Sequence, residues 1–196
     1  SHDGIGVNPV RNIVPEEEID GLITHLQEKS GALASYKENA DGSESVYEVN
    51  VSYFFFFFED FDFETAKCRY LNAHGVLLGM QGDAAVYINS YLGVENDMKG
   101  VSETGMKRSI NRKKFVYETL IKELENAESQ EAQIRKELEA LIRIRKNCDA
   151  FDTHAEQTVL KGQKELFSYV RTGKTKTVLC LHNFSDRMVK RAGVSG

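Results

Sequence analysis

At 196 residues the chain has room for one domain with a substantial core, or for part of one joined to a small second domain. Hydrophobic residues make up 41% and charged residues 28%, which excludes wholesale disorder, and a formal charge of −5 argues against a broad nucleic-acid surface. Cys68, Cys148 and Cys180 form no C-x-x-C pair, which speaks against a disulfide framework or zinc site and for a reducing, cytoplasmic compartment; no apolar run reaches the roughly 18–20 residues of a membrane span.

The chain opens Ser1-His2-Asp3-Gly4-Ile5-Gly6, the pattern of a buried strand turning into an active-site loop. Standing at the first residue, it is read as the inside of a domain, so the chain is expected to be a C-terminal piece of a larger enzyme. Pro15, the Glu16-Glu17-Glu18 run and the stripe Ile19, Leu22, Ile23 and Leu26 predict a helix ending near Ser30-Gly31. The polar stretch from Glu38 to Ser45 reads as a loop, and Tyr47 to Tyr53 as an alternating strand. Phe54 to Phe58 follow directly. Five consecutive phenylalanines cannot all face water, so they are either buried on both sides or prone to aggregate.

Phe63 to Met80 predicts a buried helix, Ala84 to Ile88 a short strand, and Asn89 to Thr104 a long loop. Helices are expected over Lys113 to Asn126 and Gln130 to Asn147. Beyond Asp149 the period changes, giving short strands at Gln157 to Leu160, Glu165 to Val170 and Thr175 to His182. This order suits an α/β fold: the C-terminal part of a TIM (β/α)8 barrel, residues 1–150, followed by a small, incomplete antiparallel β domain, residues 151–196.

Asp3 beside His2 is the leading candidate for chemistry, since a carboxylate at the end of a barrel strand can hold sugar hydroxyls and oppose a developing positive charge. An Asp before Gly also serves as a plain turn or cap, and local pattern leaves both readings open. Arg112 lies among Lys107, Arg108, Lys113 and Lys114, a cluster that also suits a solvated face. Tyr47 suits plain core equally well. Thr172-Gly173-Lys174-Thr175 is no phosphate-binding loop, because Ser168 stands where that motif needs glycine and strands flank it. His74 reads as a satisfied core histidine. His25, His154 and His182 share no metal-binding spacing.

Several motifs carry a family resemblance. Ser1 to Val7 resembles the fourth conserved region of the α-amylase superfamily, glycoside hydrolase family thirteen. Pro15 to Asp20, Tyr47-Glu48-Val49-Asn50, Gly93 to Asp97 and the run Thr104 to Arg112 are similar to its sucrose phosphorylase and glucosylglycerate phosphorylase-like branch. Leu141 to Arg145 resembles the closing barrel helix, and Val178 to Ser185 a strand of the C-terminal β domain. The chain departs from the family at Phe54 to Phe58, at Gly82-Asp83-Ala84 and at Ser109.

The resemblance implies a retaining enzyme that transfers a glucosyl group from sucrose or a related small α-glucoside to inorganic phosphate. Its partners would be a small sugar and phosphate, with no metal or organic cofactor, no nucleic acid and no membrane. Asp3 would stabilise the oxocarbenium-like transition state, with His2 as a second hydroxyl ligand. Arg112 would anchor the glucosyl site through a carboxylate partner upstream. Tyr47 and Glu48 would belong to a loop shaping the acceptor site, and Asn96 and Asp97 to the same rim. The family's nucleophilic Asp and acid/base Glu have no counterparts here, so the missing N-terminal barrel portion would hold them and this chain alone would be inactive. Two alternatives stay open: a hydrolase of the same family, with an acidic Glu48 disfavouring phosphate, and a non-catalytic binding or assembly fragment.

Overall fold

A computed structural model describes residues 3–58, 62–162 and 164–189. Packing divides the chain into two units, residues 1–69 with 86–136, and residues 70–85 with 137–196. The boundaries between them fall within two long helices and after residue 85.

In the first unit, strands β1 (Ile5–Gly6), β2 (Leu33–Glu38) and β3 (Glu44–Asn50) form an antiparallel sheet in the order β1-β3-β2. Helix α1 (Glu16–Ser30) forms where the sequence predicts it. Its three leading glutamates favour the positive end of the helix dipole, and Gly31 closes it in the left-handed conformation (φ 61°), its N–H bonding the Leu26 carbonyl. Ile19, Ile23 and Leu26 pack with Val7, Ala34, Val49 and Val51 into one apolar core. Burying each large aliphatic there stabilises the unit by about 1.5–3 kcal/mol. Leu22, expected in the same stripe, is 49% exposed.

The polar loop is the tip of the β2–β3 hairpin: Asn39 N–H bonds the Ser43 carbonyl at 2.7 Å, and Gly42 takes a positive φ of 79°. Strand β2 itself was not foreseen. The phenylalanine run is neither a strand nor wholly buried. Residues Phe55–Phe57 form a 3-10 turn, Phe54 is buried, and the others are half-buried in mutual ring contacts.

Helix α2 (Phe63–Gly79) matches its prediction, but the strand expected at Ala84 to Ile88 does not form. A strand needs a neighbour's backbone to pair with, and among the described residues this segment has none. Helix α3 (Ile88–Tyr91) begins at its end. The expected long loop also contains α4 (Met98–Thr104), capped by Asp97 and closed by Gly105 at φ 67°. Helices α5 (Tyr117–Glu125) and α6 (Gln130–Lys146) follow.

In the second unit β4 (Glu156–Val159), β5 (Leu166–Thr172) and β6 (Thr177–Asn183) form an antiparallel sheet in that order, as read from the sequence. Its polar interior is built around two side chains. The wholly buried Arg171 donates to the carbonyls of Gly79 (2.9 Å), Asp152 (2.8 Å) and Ala155 (3.3 Å). His182 meets the Tyr169 hydroxyl through Nε2 at 3.3 Å and the Asn72 side-chain oxygen through Nδ1 at 3.1 Å. Burial lowers the pKa of His182 and raises that of the Tyr169 phenol. Among the described residues no helix is long and apolar enough to cross a membrane.

Candidate active site

Three segments of the first unit converge on Asp3. The first is β1, whose antiparallel register sets Ile5 opposite Val49 and Gly6 opposite Glu48. That pairing lays Gly4 directly against β3. A Cβ on Gly4 would lie 2.6 Å from the Val49 carbonyl oxygen and 2.8 Å from Glu48 Cγ, so only glycine permits the approach.

The second segment is β3. Tyr47 is half-buried and accepts the Val7 N–H on its carbonyl at 2.9 Å. Glu48 is only 6% exposed. Asn50 is also buried, and its side-chain amide donates to the Leu33 carbonyl (3.0 Å) and the Ser35 hydroxyl (2.9 Å), tying β3 to β2.

The third is a 3-10 turn over Lys107–Asn111. Ile110 is wholly buried, the Ile110 carbonyl accepts the Asp97 N–H at 2.8 Å, and the hydroxyls of Ser109 and Thr104 lie 2.7 Å apart. Lys107 Nζ donates to the Ala34 carbonyl at 2.5 Å. Anchored this way, the turn presents three side chains to Asp3 and its neighbour. Asn111 donates to the Asp3 carbonyl at 2.7 Å. Arg112 Nη2 lies 3.1 Å from Asp3 Oδ1, and Arg108 Nη1 lies 3.2 Å from the same oxygen. Arg108 also grips Glu48 with two parallel bonds, Nε to Oε1 at 2.9 Å and Nη2 to Oε2 at 2.6 Å. Those bonds, then the Glu48 charge, with smaller help from Asp3 and Tyr47, push the Arg108 pKa further up.

The formal charges of Asp3, Glu48, Arg108 and Arg112 cancel. Both acids face guanidinium groups. Such a constellation holds a carboxylate in a fixed orientation while leaving it part-exposed toward solvent, as the 39% side-chain exposure of Asp3 shows.

Of the residues singled out in the sequence, Asp3, Glu48 and Arg112 come together, with Tyr47 next to Glu48 on β3. Asn96 and Asp97 bond elsewhere. The Asn96 amide donates to the Ser30 carbonyl at 2.7 Å and accepts the Ser52 N–H at 2.8 Å. Asp97 caps α4 through the Gly100 N–H at 2.8 Å. His2 lies outside the described residues. Arg108 and Asn111 were missed, one merged into a basic cluster and the other read only as part of a motif. No local signal marks Arg108, whose partner Glu48 lies 60 residues away.

No family model matches the chain. It is 38% identical to a glucosylglycerate phosphorylase of Spirochaeta thermophila over 188 residues, covering 94% of this chain and 32% of that protein. It is 40% identical to a glucosylglycerate phosphorylase of Escherichia coli K12 over 152 residues, covering 77% of this chain and 27% of that one. The fold superposes on sucrose 6F-phosphate phosphorylase of Thermoanaerobacter thermosaccharolyticum with a TM-score of 0.77 at 21% identity, covering 94% of this chain and 35% of that one. The chain thus spans about a third of the length of the relatives it matches. The ordered motifs around Asp3 and Arg112 and these relatives agree: the chain is homologous to the glucosylglycerate and sucrose phosphorylases, the branch of the α-amylase superfamily that its sequence resembles.

Proposed function

We propose that this chain supplies the Asp3–Arg112 side of the glucosyl site in a retaining α-glucoside phosphorylase. The enzyme would pass glucose from a small α-glucoside to inorganic phosphate and release α-glucose 1-phosphate. The observation that carries the reading is the carboxylate of Asp3, held by two guanidinium groups with its side chain 39% exposed. A carboxylate so held can accept bonds from glucosyl hydroxyls and oppose positive charge growing at the anomeric carbon. Arg112 sets its direction, and Tyr47 stands at the rim where the acceptor enters. Asn96 and Asp97 shape the loop behind the site through their bonds to main chain.

The names of the relatives favour glucosylglycerate over sucrose as donor, since the higher identities are to glucosylglycerate phosphorylases. Phosphate, rather than water, is the acceptor in this reading. Glu48 would disfavour phosphate only as a free acid, and Arg108 neutralises it with both oxygens engaged. The reading assigns the nucleophile and the acid/base to the rest of the barrel, residues 1–150 here being its C-terminal portion and 151–196 part of the β domain. Two carboxyl groups about 5–5.5 Å apart are needed for that chemistry. Asp3 and Glu48 are both committed to arginines, so residues 1–196 alone would not turn over substrate.

The experiment is incubation of the complete enzyme carrying this chain with glucosylglycerate or sucrose, with and without phosphate. Glucose 1-phosphate formed only with phosphate is expected. Free glucose at equal rates in both conditions would replace this reading with hydrolysis.

A further inference from the structure

We propose that Glu48 and Arg108 act as a positioning pair for Asp3, rather than as an acceptor-site acid and a surface cation. This role rests on the glucosyl-site reading above and adds to it the residues that aim the carboxylate.

Glu48 is buried, and a buried acid is tolerated only when its charge is met by a partner with good geometry. Arg108 meets it with the fork of Nε and Nη2, an arrangement that fixes the plane of the guanidinium as well as its distance. With those two nitrogens committed, the remaining Nη1 is the one that reaches Asp3 Oδ1, at 3.2 Å. Lysine, a single point charge, cannot hold two oxygens of one acid and aim a third donor at another.

The backbone beside Asp3 is also constrained. A Cβ on Gly4 would lie 2.8 Å from Glu48 Cγ and 2.6 Å from the Val49 carbonyl oxygen, so only glycine lets the chain next to Asp3 lie this close to Glu48. Asn111, itself buried, holds the Asp3 carbonyl at 2.7 Å. Asp3 is therefore held at its main chain by Asn111, and at its carboxylate by Arg112 directly and by Glu48 through Arg108. A side chain fixed before substrate arrives needs no reorganisation as charge develops, which is where positioning contributes to rate.

The test uses arsenolysis of α-glucose 1-phosphate by the complete enzyme, a reaction that probes the glucosyl site whatever the natural donor. Wild type is compared with Glu48→Gln, Arg108→Lys and the double variant, with melting temperature measured in parallel and rates taken well below it. The role predicts that either single change lowers kcat by roughly 10- to 100-fold with KM within about threefold. It also predicts that lysine fails to rescue and that the double variant is no worse than the poorer single one. Losses that multiply in the double variant, an active lysine variant, or a lower melting temperature with kcat unchanged would each overturn it. Wild type inactive in arsenolysis would overturn the phosphorylase reading and this role with it; an active wild type with indifferent variants overturns the role alone.

Discussion

Arg112 and Asp3 are 109 residues apart in the chain, and their guanidinium and carboxylate meet at 3.1 Å. Neither residue brings the other there. The β1–β3 register delivers Asp3, and the 3-10 turn seated on the sheet delivers Arg112. The contact therefore reports on the packing of the whole first unit, and substitutions that disturb either delivery should be felt at the site.

Gly4→Ala is the most direct such disturbance. The new methyl group would meet backbone at 2.6 Å, which cannot yield as a flexible side chain could. Overpacking of this kind costs roughly 1–3 kcal/mol. A melting temperature lowered by several degrees, together with a fall in kcat of the complete enzyme, is expected from calorimetry and steady-state assay. Gly21→Ala, in the interior of α1 with nothing within 4 Å, is the contrast: it should leave kcat unchanged and, if anything, raise the melting temperature, since alanine favours a helix interior over glycine by about 0.5–1 kcal/mol.

Asn96→Ala separates a fold role from a ligand role. The change leaves the Ser30 carbonyl and the Ser52 N–H without this partner, at roughly 1–3 kcal/mol for each group left unpaired. Urea unfolding should show the loss, while KM for sugar and phosphate stays within about twofold. A KM raised tenfold at unchanged stability would assign Asn96 to the ligand instead.

Arg171→Met removes the buried donor shared by Gly79, Asp152 and Ala155. Leaving those carbonyls unsatisfied should cost more than about 2 kcal/mol, since methionine fills the volume but offers no donor. Chemical denaturation reads this directly. No loss would mean that the freed carbonyls find other donors.

Stability should also fall with mild acid. Burial lowers the pKa of both His74 and His182 below the ordinary value of 6.5. The unfolded chain then binds more protons than the folded one once pH drops through about 6.5, so unfolding becomes easier. The loss develops below that pH and levels off beneath the folded-state values. The melting temperature should be flat between pH 7.5 and 8.5 and lower at pH 5.5, and the slope should shrink in His182→Gln.

Local signals made much of the fold readable. Pro15, the glutamate run and the Ile19–Ile23–Leu26 spacing specify α1 within the chain itself, and the alternation of residues 166–183 specifies β5 and β6. Where neighbours decide, the reading failed. Ala84 to Ile88 has strand-forming composition but no partner backbone among the described residues, and Leu33 to Glu38 has weak composition but pairs with β3 along its whole length. Helix α4 was hidden in a polar stretch although Asp97 and Gly105 mark its two ends. At the candidate site, Asp3 and Arg112 are residues that family motifs single out. Arg108 is not, because its meaning comes from Glu48, 60 residues away, and no local pattern links them.

The central claim is that Asp3 serves the glucosyl group. Its most direct test is kcat/KM for phosphate-dependent cleavage of glucosylglycerate by the complete enzyme, wild type against Asp3→Asn, which preserves shape and removes charge. A fall of at least roughly 10²-fold is predicted, the scale of losing one preorganised electrostatic contact to a transition state. Turnover equal to wild type would contradict the account.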